Sequence, residues 1–146
     1  MKFHTLILAL GLSAVVASAF AAGTGGDTKP NVDLSQARAL IEKKDWNAAV
    51  SELERAVRAD RDNADVHTLL GYSLRNAGKL ERAISEYKTA LRLDPQHKGA
   101  HEYFGVALLL AKQPDKARDH LDSLKKICGE GCEEYQDLAK AIAEYK

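Results

Sequence analysis

The chain has 146 residues, 45% of them hydrophobic, with 21 basic and 21 acidic side chains. This length predicts one small domain, large enough to bury a core but too small to hold several. A formal net charge of zero without a basic stripe argues against generic binding of nucleic acid or of an anionic membrane surface.

The N-terminal segment, residues 1–21, predicts a cleavable signal peptide. Lys2 is followed by an uncharged run rich in Leu, Ala and Val that ends in small residues. Two A-x-A sites overlap, at 17–19 and 19–21, and the second gives a mature chain that begins at Ala22. The alternative is an uncleaved anchor, because the run approaches the roughly 18 residues of a membrane-spanning helix. We expect a periplasmic or secreted protein with no membrane contact after cleavage.

Residues 22–30 predict a flexible leader, because Gly, Thr and Asp dominate and no apolar period is present. The remainder, 31–146, is expected to form one all-α domain. Apolar periodicity predicts three helix pairs, at 31–43 with 46–59, 65–77 with 80–93, and 99–111 with 114–127. A further amphipathic helix over 133–146 places Tyr135, Leu138, Ile142 and Tyr145 on one stripe.

A sequence pattern that recurs after 34 residues relates the three pairs. The pattern H-x2-L-G-x2-L at 67–74 returns as H-x2-F-G-x2-L at 101–108, and Ala83-x3-Tyr87 returns as Ala117-x3-Leu121. Projected backwards, the period places Ala49 and Leu53 in the same register. Such a period is typical of a helical solenoid, with repeats at about 30–63, 64–97 and 98–131. The last helix would cover the apolar face that a stack leaves open.

These residues resemble the tetratricopeptide repeat (TPR) family, whose unit reads W-x2-L-G-x2-Y…A-x3-F…P. The middle copy matches best, with Leu70, Gly71, Ala83, Tyr87 and a turn proline at Pro95. The resemblance implies a protein-binding scaffold and does not name a ligand. His67 and His101 stand where the family carries Trp, so we interpret them as packing groups. A metal clamp formed by His97 and His101 is the less favoured alternative, since no third ligand is evident.

The resemblance also implies that the first helix of each pair lines a concave groove. Apolar residues there, flanked by arginines, would suit a peptide or helix of a partner with apolar anchors and an acidic group. Carried over position by position, the expected groove residues are Arg38, Ile41, Thr68, Tyr72, Arg75, Asn76, Glu102, Val106 and Leu109. The carboxylate clamp of chaperone-binding members is absent, because its places hold Leu34, Arg38, Gly99 and Tyr103.

Two cysteines, Cys128 and Cys132, flank a Gly-Glu-Gly triplet that should interrupt the helix. In an exported chain the pair favours a structural disulfide that fixes the last helix to the stack. The alternative is a reactive dithiol, although the C-x-x-C spacing of thioredoxin-like motifs is missing.

No catalytic constellation, metal site or cofactor-binding motif is recognisable in the sequence. The sequence therefore predicts a non-enzymatic adaptor of the bacterial cell envelope that binds a protein partner in its groove. The alternative function is thiol-redox or metal handling through Cys128 and Cys132. The state of self-association is not defined by any pattern in the chain.

Overall fold

The structure, a computed structural model, describes residues 32–146. The predicted signal peptide and leader lie outside these residues. All regular secondary structure in the described part is α-helical. Its seven helices are α1 Ser35–Glu42, α2 Trp46–Ala59, α3 Ala64–Asn76, α4 Leu80–Leu93, α5 Lys98–Leu110, α6 Pro114–Cys128 and α7 Glu133–Glu144. The all-α class and the paired arrangement predicted from the sequence are confirmed.

The helix boundaries agree with the sequence to within one residue in the first six helices, except at the start of α1. Helix 1 was expected from residue 31 but begins at Ser35, because the Asp33 carboxylate accepts the backbone N–H of Ser35 at 2.9 Å. An Asp side chain that binds its own backbone two residues onward competes with helix formation. The last helix ends at Glu144, so Tyr145 and Lys146 lie beyond it.

The turn within each helix pair repeats every 34 residues. Lys44, Gly78 and Lys112 have φ of 56°, 77° and 58°, in the left-handed region. The backbone N–H of the residue after each one donates to the carbonyl five residues earlier in the chain, at 3.0, 2.8 and 2.9 Å. This bond satisfies carbonyls that the helix end leaves free. Gly occupies the left-handed position only in the second repeat, so Lys44 and Lys112 hold it at a steric cost.

Small residues let the paired helices approach closely. Ala49, Ala83 and Ala117, one from each second helix, are all fully buried. On α3, Gly71 lies under the ring of Tyr87, and a Cβ atom built on it would be 2.6 Å from Tyr87 Cε1. No larger residue could occupy this position without displacing the ring. The small residues that recur at these repeat positions therefore allow the helices of a pair to pack closely.

Helix 7 covers the end of the stack. It packs against both α5 and α6, and Leu138 is its fully buried residue. Among the helices of residues 32–146, none is both long and apolar enough to cross a membrane.

Candidate functional site

The first helices of the three pairs and the start of α7 line two adjoining cavities, which together we call the groove. Its first cavity, about 240 Å³, lies between α1, α3 and α5 and is lined by Arg38, Ile41, Glu42, Leu69, Tyr72 and Tyr103. Its second cavity, about 210 Å³, lies between α5 and α7 and is lined by Gly99, Glu102, Tyr103, Glu133, Glu134 and Asp137. Tyr103 belongs to both linings, so the two cavities adjoin at this residue.

A row of aromatic rings spans the three repeats along the groove. The ring of Trp46 meets that of Tyr72 edge-on, with centroids 6.0 Å apart, and Tyr72 meets Tyr103 at 4.9 Å. Each of these rings is only partly buried. Packed aromatic side chains offer a large apolar contact area and lose little conformational freedom when a partner binds.

The guanidinium of Arg75 lies over this row. Its Cζ is 5.1 Å from the centre of the Tyr72 ring and 5.8 Å from that of Tyr103. One nitrogen also donates to the backbone carbonyl of Tyr103 at 3.4 Å. These contacts hold a positive charge at the middle of the groove, where both cation–π attraction and the hydrogen bond fix its position.

The second cavity is acidic. Burial raises the pKa of Glu102 to about 7, and the nearby carboxylates of Asp137 and Glu134 raise it further in the same direction. A hydrogen bond from its own backbone N–H, and then the ion pair with Lys98 at 3.2 Å, lower the pKa of Glu134. The groove therefore changes sign along its length, from Arg38, Glu42 and Arg75 near α1 and α3, which together carry one positive charge, to carboxylates at α5 and α7.

The structure divides the expected groove residues into surface and core. Seven of them have accessible side chains: Arg38, Ile41, Tyr72, Arg75, Asn76, Glu102 and Val106. Thr68 and Leu109 are instead buried, and the Thr68 hydroxyl is used within its helix, donating to the Ala64 carbonyl at 2.8 Å. These two positions turn toward the neighbouring helices and offer no contact surface.

Sequence reasoning missed several residues of the site. Trp46 and Tyr103 were not assigned to the groove, although their aromatic character was a usable signal. Glu133, Glu134 and Asp137 were also not assigned to the groove, because the sequence predicts that the last helix covers the stack but not which of its side chains lie beside α5.

Two histidines at equivalent repeat positions are buried, as expected of packing groups. His67 donates from Nε2 to the Arg61 carbonyl at 3.0 Å and from Nδ1 to Glu86 at 2.6 Å. A ring that donates from both nitrogens is an imidazolium. The Glu86 hydrogen bond accordingly raises the pKa of His67.

His97 lies at the N-terminal end of α5, four residues before His101. Its Nδ1 accepts the Ala100 N–H at 3.1 Å and caps α5, while its Nε2 donates to Asp65 at 3.1 Å. Both nitrogens are thus committed to protein partners.

The cysteine loop follows the C-terminal end of α6. The sulfur atoms of Cys128 and Cys132 are bonded to each other, with their Cα atoms 5.9 Å apart. Gly129, with φ of 79°, ends α6 and reverses the chain toward α7. Ligand atoms of both cysteines and of Glu134 lie within 4.8 Å of one another. A disulfide-bonded pair, however, has no thiolate to offer a metal ion.

Comparison with known proteins identifies the repeat. A family model described as "Tetratricopeptide repeat" matches residues 34–97 and again residues 68–131. The second match begins 34 residues after the first, the period found in the sequence. A comparison with curated proteins gives no match.

Solved structures share the fold. A fragment of MamA from Desulfovibrio magneticus RS-1 is 24% identical, with a TM-score of 0.61, over 63% of this chain and 52% of the fragment. The chain thus spans about half the length of that fragment. The TPR2B domain of yeast Sti1, solved as a complex with an Hsp70 peptide, is 18% identical with a TM-score of 0.68, over 75% of this chain and 92% of the domain.

The second TPR domain of human RPAP3, solved with the HSP70 peptide SGPTIEEVD, is also 18% identical. Its TM-score is 0.65, and the match covers 73% of this chain and 88% of that domain. At these identities the three structures support the fold alone.

Proposed function

Since the chain belongs to the tetratricopeptide repeat family, we propose that it is a non-enzymatic adaptor that binds a segment of a partner protein in the groove. The observation that carries the proposal is the row of Trp46, Tyr72 and Tyr103 with Arg75 fixed above it. Aromatic residues beside an arginine are the combination most enriched at binding hot spots. Two of the related domains were solved with peptides, which supports a peptide or helix as the ligand.

The charge pattern of the groove restricts the partner segment. An apolar or aromatic side chain would fit against Tyr72 and Tyr103, and an acidic group would lie near Arg38 and Arg75. A carboxylate at the other end would meet Glu102 and Asp137 and be repelled. The partner segment is therefore expected to bind in one direction, with its acidic group toward α1.

We place this adaptor in the bacterial cell envelope. The proposal rests on the N-terminal run from Phe3 to Ala22 and its A-x-A sites, which are typical of a cleaved signal. N-terminal sequencing of the native protein tests it, with Ala22 as the expected first residue. A protein that still carries Lys2 would contradict cleavage and would favour an anchored form.

Redox or metal handling remains the alternative function. A redox function would cycle Cys128 and Cys132 between the described disulfide and the dithiol, whereas metal binding would need the dithiol. Measurement of the reduction potential separates the two functions. A potential below about −300 mV indicates a structural disulfide, and a value in the range of exchange catalysts favours the redox function.

Partner capture tests the groove directly. Replacing Tyr72 and Arg75 together by Ala should weaken partner binding at least tenfold, about 1.4 kcal/mol. The matched control replaces Tyr145 and Arg118, which are the same residue types, are exposed, and lie outside the groove. Circular dichroism should show both variants folded. Equal partner affinity of the groove variant and the wild type would contradict the proposal.

A further inference from the structure

A separate cavity of about 420 Å³ lies between α4, α5 and α6. We call it the histidine cavity. Its lining shares no residue with the two groove cavities and consists of Ile84, Lys88, Phe104, Leu108, Gln113, Lys116, Asp119 and His120.

The lining combines an apolar floor with a cationic rim. Ile84, Phe104 and Leu108 are largely withdrawn from solvent and offer apolar atoms. Lys88 comes from α4 and Lys116 from α6, and the Lys116 ammonium donates to Gln113 Oε1 at 2.6 Å. Asp119 is the one carboxylate in the lining, so the two lysines leave it with a net positive charge.

A chain of hydrogen bonds sets the chemistry of His120 at the cavity wall. The Pro95 carbonyl only accepts, so His101 carries its proton on Nε2, 3.0 Å from that oxygen. In its neutral form His101 then has a bare Nδ1, 2.9 Å from Nδ1 of His120. His120 must therefore donate from Nδ1, and its other nitrogen, Nε2, carries a lone pair.

His120 Nε2 is available to a ligand. It has no hydrogen-bond partner in the part of the chain that the structure describes, and it is not among the fully enclosed polar atoms. The ring itself is held in place, because it packs on Phe104 with centroids 4.6 Å apart. Burial, and then repulsion by His101, lowers the pKa of His120 to about 4, so the His120 ring is uncharged near neutral pH.

We propose that the histidine cavity binds a small carboxylic acid with an apolar tail. The tail lies on Phe104 and Leu108, and the carboxylate lies between the two lysines and Nε2 of His120. One proton from water adds to Nε2, which then donates a hydrogen bond to the carboxylate, and the charge is shared between the two histidine rings.

The charged groups that face His120 favour this proton uptake only when an anion is present. Lys88 on α4, Lys116 on α6 and His101 on α5 oppose a positive charge on the ring, whereas Asp119 favours it. A bound carboxylate adds a negative charge beside the ring and so favours protonation of His120. Binding is therefore expected to tighten as the pH falls, because ligand and proton stabilise one another.

Calorimetric titration with hexanoate tests the proposal. At pH near 6 we expect binding at least threefold tighter than at pH near 8, with net proton uptake seen as a dependence on buffer ionisation enthalpy. Acetate, which lacks the tail, and inorganic phosphate should both bind at least tenfold more weakly. Absence of hexanoate binding up to about 10 mM, or equal affinity for phosphate, would overturn the proposal.

Variants locate the bound acid. Lys116→Ala should weaken hexanoate binding about tenfold, whereas Lys140→Ala, on the exposed face of α7, should leave it unchanged. His120→Gln can still donate to His101 but cannot take up a proton, so the pH dependence should disappear. An unchanged pH dependence in His120→Gln, or an unchanged affinity in Lys116→Ala, would show that the acid binds elsewhere.

Discussion

Leu138 of the last helix lies directly on Gly105 of the third repeat. A Cβ atom built on Gly105 would be 2.5 Å from Cδ1 and 2.6 Å from Cδ2 of Leu138. The equivalent glycine of the second repeat, Gly71, is covered by Tyr87 of its own helix pair. At the end of the stack, Leu138 of α7 thus covers Gly105 in the way that Tyr87 of α4 covers Gly71 in the middle repeat.

This contact leads to a double-mutant experiment. We expect Leu138→Ala to lower the free energy of unfolding by about 2–5 kcal/mol, because a fully buried side chain is removed. Gly105→Ala should be destabilising in the wild type but much less so beside Leu138→Ala, where the added methyl group has space. Urea unfolding of the four proteins gives the coupling energy, expected at about 0.5–3 kcal/mol.

Gly131→Ala is the matched control for that cycle, since no atom lies within 4 Å of a Cβ at this position. Additive effects of the Gly105 and Leu138 changes would mean that α7 does not pack on α5 in this way.

The second expected outcome concerns the free energy of unfolding at acid pH. Because the pKa of His120 is lowered to about 4 in the folded state, the unfolded chain binds the extra proton more readily. Stability from this group is therefore complete above pH about 6.5 and is lost as the pH falls toward 4, by up to about 2 kcal/mol after allowance for the partial exposure of the ring. His120→Gln should flatten this part of the profile, and an unchanged acid slope would contradict the assignment.

The third expected outcome concerns His67, whose contribution to stability changes with pH in the opposite direction. The hydrogen bond to Glu86 raises the pKa of His67 in the folded state. Its stabilisation is thus present below pH about 6.5 and is lost as the pH rises through the folded-state value. Glu86→Gln should cost about 1–2 kcal/mol below this range and less above it. Thermal unfolding at a series of pH values measures both, and an equal cost throughout would mean that His67 is not charged.

These two pairs show what the sequence does and does not reveal. His67 with Glu86 and His101 with His120 are separated by 19 residues each, so the 34-residue period already relates them. The period predicted that both histidines pack inside. It could not predict that His67 bonds to a carboxylate and His101 to a second imidazole, because this depends on which side chain the second helix brings to the ring.

Only some of the groove residues could be predicted from the sequence. The repeat register correctly brought Tyr72 and Arg75 to one surface, since both follow from the period and the helix rotation. Thr68 and Leu109 were expected beside them but are buried, because neighbouring helices pack over their side of the helix. The acidic end arises from the approach of α7 to α5, a long-range contact that no local pattern contains.

The fourth expected outcome concerns the cysteines. A double Cys128→Ser and Cys132→Ser variant should lose about 2 kcal/mol and loosen α7, while the repeats stay folded. The reason is that the bond constrains only the junction after α6. Hydrogen exchange should show faster amides in α7 and unchanged protection in α3 and α4. Two free thiols in natively oxidised protein, or complete unfolding of the variant, would contradict this role.

Site-specific photo-crosslinking in the native cells tests the central claim most directly. A photoreactive residue at Arg38 or Asn76, both exposed in the groove, is compared with one at Glu81 or Ser85, both exposed on α4. We expect the two groove positions to capture the same partner protein, identified by mass spectrometry, and the α4 positions to capture none of it. Capture of a partner protein from Glu81 or Ser85 but not from Arg38 or Asn76 would contradict the account.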